Sequence, residues 1–405
     1  MKCNKLIVSL LAGLILIGCV SQSDSTRPAE DTNVMAVDTA GPAGSGQASA
    51  AIGGEVTQAC GGVMCWLMEL FGPADDRPNH VVMDVYYATD RQRVDNTENN
   101  TSFGTRRSKD ITYGVAEVSI PKGHKIGEIE RPAYWKLEFS EDPDDHLMLR
   151  KTEILNKSLY FNRLRSQFVD SENLLIFIHG YNVSFEDAAL RTAQIAYDLS
   201  FKGAPVFYSW PSQAKEKSYM TDENNIRWSQ GNIKNFITQV LEKTTSQNIY
   251  LIAHSMGTRA LTQAYLDVMD DIPSAKSRIK EIILAAPDID ADLFKKDIAP
   301  KMVSKNSSVT LYVSSTDVAL MMSKTIHGGY SRAGYSGGEP VIVEGIDTID
   351  VTNVGVGFLN HSTFAEVRPV MMDIYSLIHH HKRAFERAGL EPVENSNGTY
   401  WQFKK

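Results

Sequence analysis

The sequence predicts an α/β protein built on a mostly parallel sheet with helices on both faces and extra strands at its N-terminal side. Three observations carry this. Leu174–Ile178 is a short, fully apolar run, the composition of a strand covered on both faces. From there to Val313, strand-like and helix-like patterns alternate, which requires crossover helices between parallel strands. Upstream, the β-rich stretches Val81–Tyr87, Thr112–Ile120 and Trp135–Phe139 follow one another without a helix, punctuated by Pro121, Gly123 and Pro132.

In chain order, Lys2 and Lys5 precede an apolar run from Leu6 to Ile17. It is shorter than the roughly 20 residues that a membrane-spanning helix needs, and has the charge and apolar pattern of a secretory signal. The run Leu16-Ile17-Gly18-Cys19 resembles the bacterial lipoprotein signal, so residues 1–18 are expected to be removed. That resemblance implies lipidation of Cys19 and, with Val20 next, outer-membrane sorting in a cell with two membranes. Cleavage removes Lys2 and Lys5 and makes an already acidic chain more so, so lipid rather than charge must hold it at the membrane. Residues 19–79 read as a flexible tether, poor in large apolar groups from Ser21 to Glu55. Near its end, a short apolar patch carries Cys60 and Cys65. After export a Cys60–Cys65 disulfide is chemically allowed, with free thiols as the alternative; no further Cys pair or near His completes a metal site.

The folded body is expected over residues 80–390, with residues 391–405 as a C-terminal tail. Val81–Tyr87 ends in a turn-like Ala88-Thr-Asp-Arg91. After the strand at Leu174–Ile178, Phe185–Leu199 is helical, with Ala188, Ala189, Ala193 and Ala196 allowing close packing. Further strands are expected at Pro205–Tyr208, Ile249–Ile252, Ile282–Ala285 and Val309–Val313. Helices are expected at Asn232–Lys243, Arg259–Met269 and Phe364–Ala388.

Composition narrows the function. The 405 residues are 42% hydrophobic and 22% charged, enough for a real core. Lys and Arg number 41 against 49 Asp and Glu, a net charge of −8. No basic excess exists to displace the counterions of a nucleic acid, so a nucleic-acid partner is not expected.

The informative motif is Ala253-His254-Ser255-Met256-Gly257, where the strand ending near Ile252 becomes a helix. A serine hydroxyl is a poor nucleophile unless held out of the sheet, aligned with a base and set beside donors for a developing oxyanion. A sharp strand–Ser–helix turn does this and needs small residues two before and two after, here Ala253 and Gly257. The Met256 N–H lies at a helix N-terminus, and Gly180 in His179-Gly-Tyr-Asn182 lets a second N–H, that of Tyr181, join it. His179 lies on the wrong loop for the base and is expected to shape that loop, and His254 is expected to point into packing. In this architecture an acid and then a histidine follow the serine. Asp317 lies just past the strand Val309–Val313, and His361 in a loop leading to the last helix. Asp288 and Asp290, after Ile282–Ala285, compete with Asp317 for the acid role. His327 sits in a Gly-rich loop, and His379, His380 and His381, adjacent on a helix, are expected to form a solvated face.

The runs Ile176-Phe-Ile-His-Gly-Tyr-Asn182, Phe207-Tyr-Ser-Trp-Pro-Ser212, Leu251-Ile-Ala-His-Ser-Met-Gly257 and Ala285-Ala-Pro-Asp-Ile-Asp-Ala291 resemble the DUF900 branch of the α/β-hydrolase superfamily, esterase- or lipase-like proteins. Val85-Tyr-Tyr-Ala-Thr-Asp-Arg91 and Phe103-Gly104 are similar to that branch's N-terminal part. The resemblance covers about residues 80–385. It implies an α/β-hydrolase fold and, by position, a Ser255, Asp317, His361 triad. Ala253 departs from the superfamily's usual glycine and crowds the turn by one methyl. The expected activity is hydrolysis of a small-molecule or lipid-like carboxylic ester through an acyl-enzyme, with no metal or organic cofactor. A non-catalytic envelope binding or assembly module on the same fold is the alternative. The segment between Trp210 and Trp228, with Tyr219 and Met220, is a candidate substrate wall or lid, or an ordinary crossover loop. Its charges favour smaller or soluble esters over large lipids.

Overall fold

A computed structural model of the chain describes residues 78–95, 101–132, 138, 140–168, 172–303, 308–354 and 367–405. Cys19, Cys60, Cys65 and His361 therefore lie outside the described residues, as does the expected strand Trp135–Phe139 apart from Glu138.

The N-terminal strands are β1 (His80–Asp95), β2 (Thr101–Pro121) and β3 (Met148–Leu155). The alternating part runs α1 (Lys157–Gln167), β4 (Asn173–Ile178), α2 (Phe185–Asp198), β5 (Ala204–Ser209), α3 (Tyr219–Lys243), β6 (Asn248–His254), α4 (Gly257–Asp271), β7 (Ile279–Ala285) and β8 (Ser308–Val313). It continues through α5 (Val318–Ile326), β9 (Ile346–Asp350), α6 (Arg368–His380), β10 (Leu390–Asn395) and β11 (Gly398–Phe403). All eleven strands form one sheet in the order β10-β11-β9-β8-β7-β6-β4-β5-β1-β2-β3. Strands β1, β5, β4, β6, β7, β8, β9 and β11 run parallel.

Alternation along each strand feeds two apolar layers. In β4, Leu174, Ile176 and Ile178 face a layer built with α1, α3 and α4. Leu175 and Phe177 face the other, built with α2 and α6. All five are buried, and each contributes about 1.5–3 kcal/mol on leaving water. Helix α2 starts where Ser184 and Asp187 form a reciprocal capping box, and its four alanines let it lie close against the sheet.

Four expectations change. The turn-like Thr89-Asp90-Arg91 is a buried continuation of β1, with register shifts on either side of Arg91. Helix α3 begins at Tyr219 rather than Asn232. Its early buried stripe is polar (Asp222, Asn225, Ser229), and hydrophobic periodicity cannot register such a face. Residues 391–405 are not a tail: β10 and β11 form a hairpin that pairs with β9. The expected helix to Ala388 stops at His380, where His381 turns left-handed with φ 50°. His379 reaches the Leu199 carbonyl (2.7 Å) and docks the helix end, whereas His380 and His381 stay exposed as expected, His381 with its ring parallel to that of Tyr250.

The loop after β2 is tied to α2 by one imidazole. His124 contacts Glu130 through Nδ1 and Asp198 through Nε2, both at 2.9 Å. Burial alone would lower its pKa, but the hydrogen bonds and charges of Asp198 and Glu130 raise it from 6.5 to about 9. A folded pKa above the unfolded one adds stability that is complete below pH 6.5 and is lost as pH rises through about 9. His124→Gln should therefore melt below the wild type at pH 7, and the gap should close by about pH 10. A constant gap in a thermal-melt pH series would refute the charged-imidazole assignment.

Candidate active site

The chain passes from β4 to β5 on one side and from β6 to β9 on the other, so the sheet order reverses between β4 and β6. In open α/β sheets that switch point opens a crevice at the strands' C-terminal ends. Strands β4 and β6 end level, Ile178 opposite Ala253, so the segments His179–Val183 and His254–Gly257 leave the sheet side by side. Their contact is close. A Cβ at Gly180 would lie 2.9 Å from Ser255 Cβ, and one at Gly257 would lie 2.4 Å from the His179 carbonyl oxygen.

Ser255 has φ 51°, a left-handed conformation that costs a non-glycine residue about 1–2 kcal/mol. The turn is held by the Ser255 N–H donating to Ala285 O (2.9 Å) and by Thr258 Oγ1 donating to Ser255 O (2.6 Å). Asn182 (φ 59°) and Ala286 (φ 48°), past β4 and β7, share the left-handed conformation, as do Ser200, Ala214 and His381 elsewhere. Ser255 is 1% exposed, and in so dry a place electrostatic interactions are strong. Met256 immediately precedes α4, its side chain fully buried. Tyr181 packs edge-on against Tyr219, ring centroids 5.4 Å apart.

The two acid candidates differ in what their carboxylates do. Asp317 follows β8, is buried, and caps α5 with Oδ1 accepting from Leu320 N–H (2.9 Å). Asp288 follows β7 and is the hub of a network. It accepts from Tyr219 Oη (2.5 Å), Ser323 Oγ (2.6 Å) and Arg259 NH2 (3.1 Å), with Arg332 Nε 3.3 Å away. Arg259 and His327 both extend the network to Glu223, so His327 is engaged rather than loose in a loop. Burial and the Asp288 charge both push the Tyr219 phenol up, so it stays a donor. Asp290 caps the short helix Ala291–Leu293. Tyr219 is thus a buried strut, whereas Met220 beside it is exposed.

His179 is buried and stacked on Trp210, ring centroids 4.9 Å apart. Its Nδ1 faces Gly180 O (2.8 Å) and so carries the proton, leaving Nε2 to accept from Arg91 NH2 (3.4 Å) and Ser209 Oγ (3.2 Å). Burial and then the Arg91 charge hold it neutral, well below the usual histidine range. It shapes the loop, as its position in the sequence suggests. Sequence reasoning missed the rest of this frame: Trp210 donating to His179 O (2.8 Å), and Asp222 accepting from Asn182 N–H (3.1 Å) and Ser212 Oγ (2.6 Å). The signal available was three polar residues at helical spacing, Asp222, Asn225 and Ser229.

A mostly parallel sheet, crossover helices on both faces and a strand–Ser–helix elbow at the switch point define an α/β-hydrolase. The chain belongs to the family described as "Alpha/beta hydrolase of unknown function (DUF900)", whose model matches residues 158–380. No curated protein matches it. Among solved structures it is similar to an esterase of Pyrobaculum calidifontis, at 12% identity over 75% of this chain and 87% of that one, TM-score 0.30. It is also similar to a thermostable esterase of Pseudomonas putida, at 11% identity over 75% and 84%, TM-score 0.30. Aspergillus fumigatus lipase B is similar at 11% identity and TM-score 0.27, and the match spans 45% of each chain.

Proposed function

We propose that the protein is a serine hydrolase that cleaves a carboxylic ester through an acyl-enzyme on Ser255. The observation that supports this best is the elbow itself, a serine at φ 51° between a buried strand and a helix, pressed against Gly180. A left-handed serine at the mouth of the switch-point crevice supports a use for its hydroxyl.

In this reading Ser255 Oγ attacks the acyl carbon while His361 takes its proton, and the carbonyl oxygen becomes an oxyanion. The N–H groups of Met256, at the positive end of α4, and Tyr181 receive that charge. Collapse expels the alcohol, which takes the proton from His361 and leaves the acyl group on Ser255. Water, deprotonated by His361, then releases the acid and restores the serine. Asp317 holds the imidazole's tautomer and steadies its charged form. The lipoprotein-like Leu16-Ile17-Gly18-Cys19 run supports attachment to the cell envelope through lipid on Cys19.

A fluorophosphonate probe tests the chemistry: the wild type should label stoichiometrically at Ser255. A folded wild type that stays unlabelled would favour the non-catalytic module. The acid assignment has its own test. Asp317→Asn keeps a good helix cap but loses the charge that steadies the imidazolium, so kcat should fall by about 10²–10⁴ with little loss of stability. Asp288→Asn leaves Arg259 and Arg332 short of a counter-charge and should cost stability first, about 3 kcal/mol in a urea melt, with the smaller fall in kcat. The opposite ranking of turnover would move the acid role to Asp288.

A further inference from the structure

We propose that Arg91 is a positioning residue for the oxyanion segment His179–Val183, delivered under it by an irregularity in the N-terminal strand β1. The proposal rests on the serine-hydrolase reading and concerns a residue outside the region that the family model matches.

Strand β1 pairs in parallel with β5 up to Thr89 opposite Ser209, and its pairing with β2 shifts register between Thr89 and Arg91 and again between Arg91 and Arg93. Such irregularities bend a strand and re-aim a side chain. Thr89 Oγ1 donates to Ser209 O (2.6 Å) and accepts from Arg91 N–H (3.1 Å), which fixes the bend. The guanidinium then lies almost wholly out of water, 1% exposed, where an arginine is tolerated only if its donors are matched. Nε donates to Ser209 Oγ (2.8 Å). NH1 donates to Ser212 O (2.9 Å) and Gly104 O (3.2 Å), and NH2 to Val183 O (2.8 Å) and His179 Nε2 (3.4 Å).

Two of these acceptors, His179 and Val183, are the ends of the segment that carries Tyr181. One terminal nitrogen of the guanidinium bonds both the His179 imidazole and the Val183 carbonyl and so holds the two ends together, and the segment between them is pinned further by Asp222 at Asn182 N–H and by Ser212 Oγ at Val183 N–H (3.1 Å). Every direct hydrogen-bond acceptor here is neutral. Burial lowers the Arg91 pKa to about 10, against the opposing charges of Asp222, Asp90 and Asp187, so it remains charged at neutral pH. The N-terminal hairpin is therefore a working part of the site: it fixes a backbone donor before the substrate arrives, which is where oxyanion stabilisation gains its strength. A misplacement of about 1 Å costs on the order of 10²-fold in rate.

The experiment compares wild type, Arg91→Met, Arg91→Lys and Ser209→Ala. Sites are counted by fluorophosphonate titration, and kcat and KM on p-nitrophenyl acetate and the Ki of an alkyl boronic acid are expressed per titrated site. We expect kcat per site to fall about 10²-fold in Arg91→Met with KM within about twofold, and boronate affinity to weaken by a similar factor. Arg91→Lys should recover little, because a point charge cannot bridge five acceptors. Ser209→Ala should lose about tenfold and keeps the test open if Arg91→Met does not fold. Fewer titrated sites, each turning over and binding boronate as in the wild type, would make Arg91 a stability residue only and overturn the proposal. A wild type that does not label brings down the hydrolase reading and this proposal together.

Discussion

Replacing Ser255 with glycine is expected to abolish ester hydrolysis while leaving the protein at least as stable as the Ser255→Ala variant. The first half follows from the nucleophile role proposed for Ser255. Removing a triad serine costs about 10⁶ in kcat in the best-studied serine hydrolase, and the residual rate comes from binding and oxyanion donors alone. The second half follows from the backbone. At φ 51° any residue with a Cβ pays about 1–2 kcal/mol that glycine does not, against a gain in unfolded-chain entropy of about 0.5–1 kcal/mol for glycine. The glycine variant should therefore melt at or above the alanine variant, an inactive protein relieved of strain that the active one carries. Thermal melts of both, beside turnover of a chromogenic ester, check this. A glycine variant that melts well below alanine would mean that the elbow is unstrained, and retained turnover would remove Ser255 from the chemistry.

Gly257→Ala is expected to damage both folding and activity, out of proportion to one methyl group. The added Cβ would stand 2.4 Å from the His179 carbonyl oxygen and 2.9 Å from that of Ile178, and both obstacles are backbone at the end of a buried central strand. Neither can swing aside as a side-chain tip would. Either β4 shifts relative to β6 or α4 backs away from the elbow, at a cost of about 1–3 kcal/mol. Both movements change the spacing between the His179–Val183 segment and Ser255, so a fall in kcat of about 10²-fold or more accompanies the loss of stability. Gly231→Ala is the control: no atom lies within 4 Å of its Cβ position on α3, and alanine in a helix should add about 0.5–1 kcal/mol. Urea melts and initial rates on the two variants separate local crowding at the elbow from a general intolerance of substitution.

Both predictions concern a turn that is legible in the sequence. The apolar runs at Leu174–Ile178, Ile249–Ile252 and Val309–Val313 mark strands buried on both faces, and A-x-S-x-G at the end of one of them marks the elbow. Other parts were not legible, for one shared reason. Asp222, Asn225 and Ser229 form a buried helical stripe, Thr89, Asp90 and Arg91 a buried strand, and Asp347 lies in β9 where it meets Arg383 and Arg387. In a single sequence a buried polar residue with a distant partner looks the same as an exposed one without any. The C-terminal hairpin escaped notice similarly: β10 carries only Leu390 and Val393 as large apolar residues, around Pro392, and gains its strand character by pairing.

By itself, the sequence determined the alternation of strand and helix, hence the parallel sheet, and the residue types at the elbow, because hydrophobic periodicity and turn sterics are local. Only the tertiary structure decided which strands adjoin, that the order reverses between β4 and β6, and that Arg91 reaches across to a segment about ninety residues away. It also settled that Asp288 spends its carboxylate on Tyr219, Ser323 and two arginines. Those outcomes depend on which groups meet after the chain has folded, and burial sets a requirement that each polar group find a partner without specifying where in the sequence that partner lies.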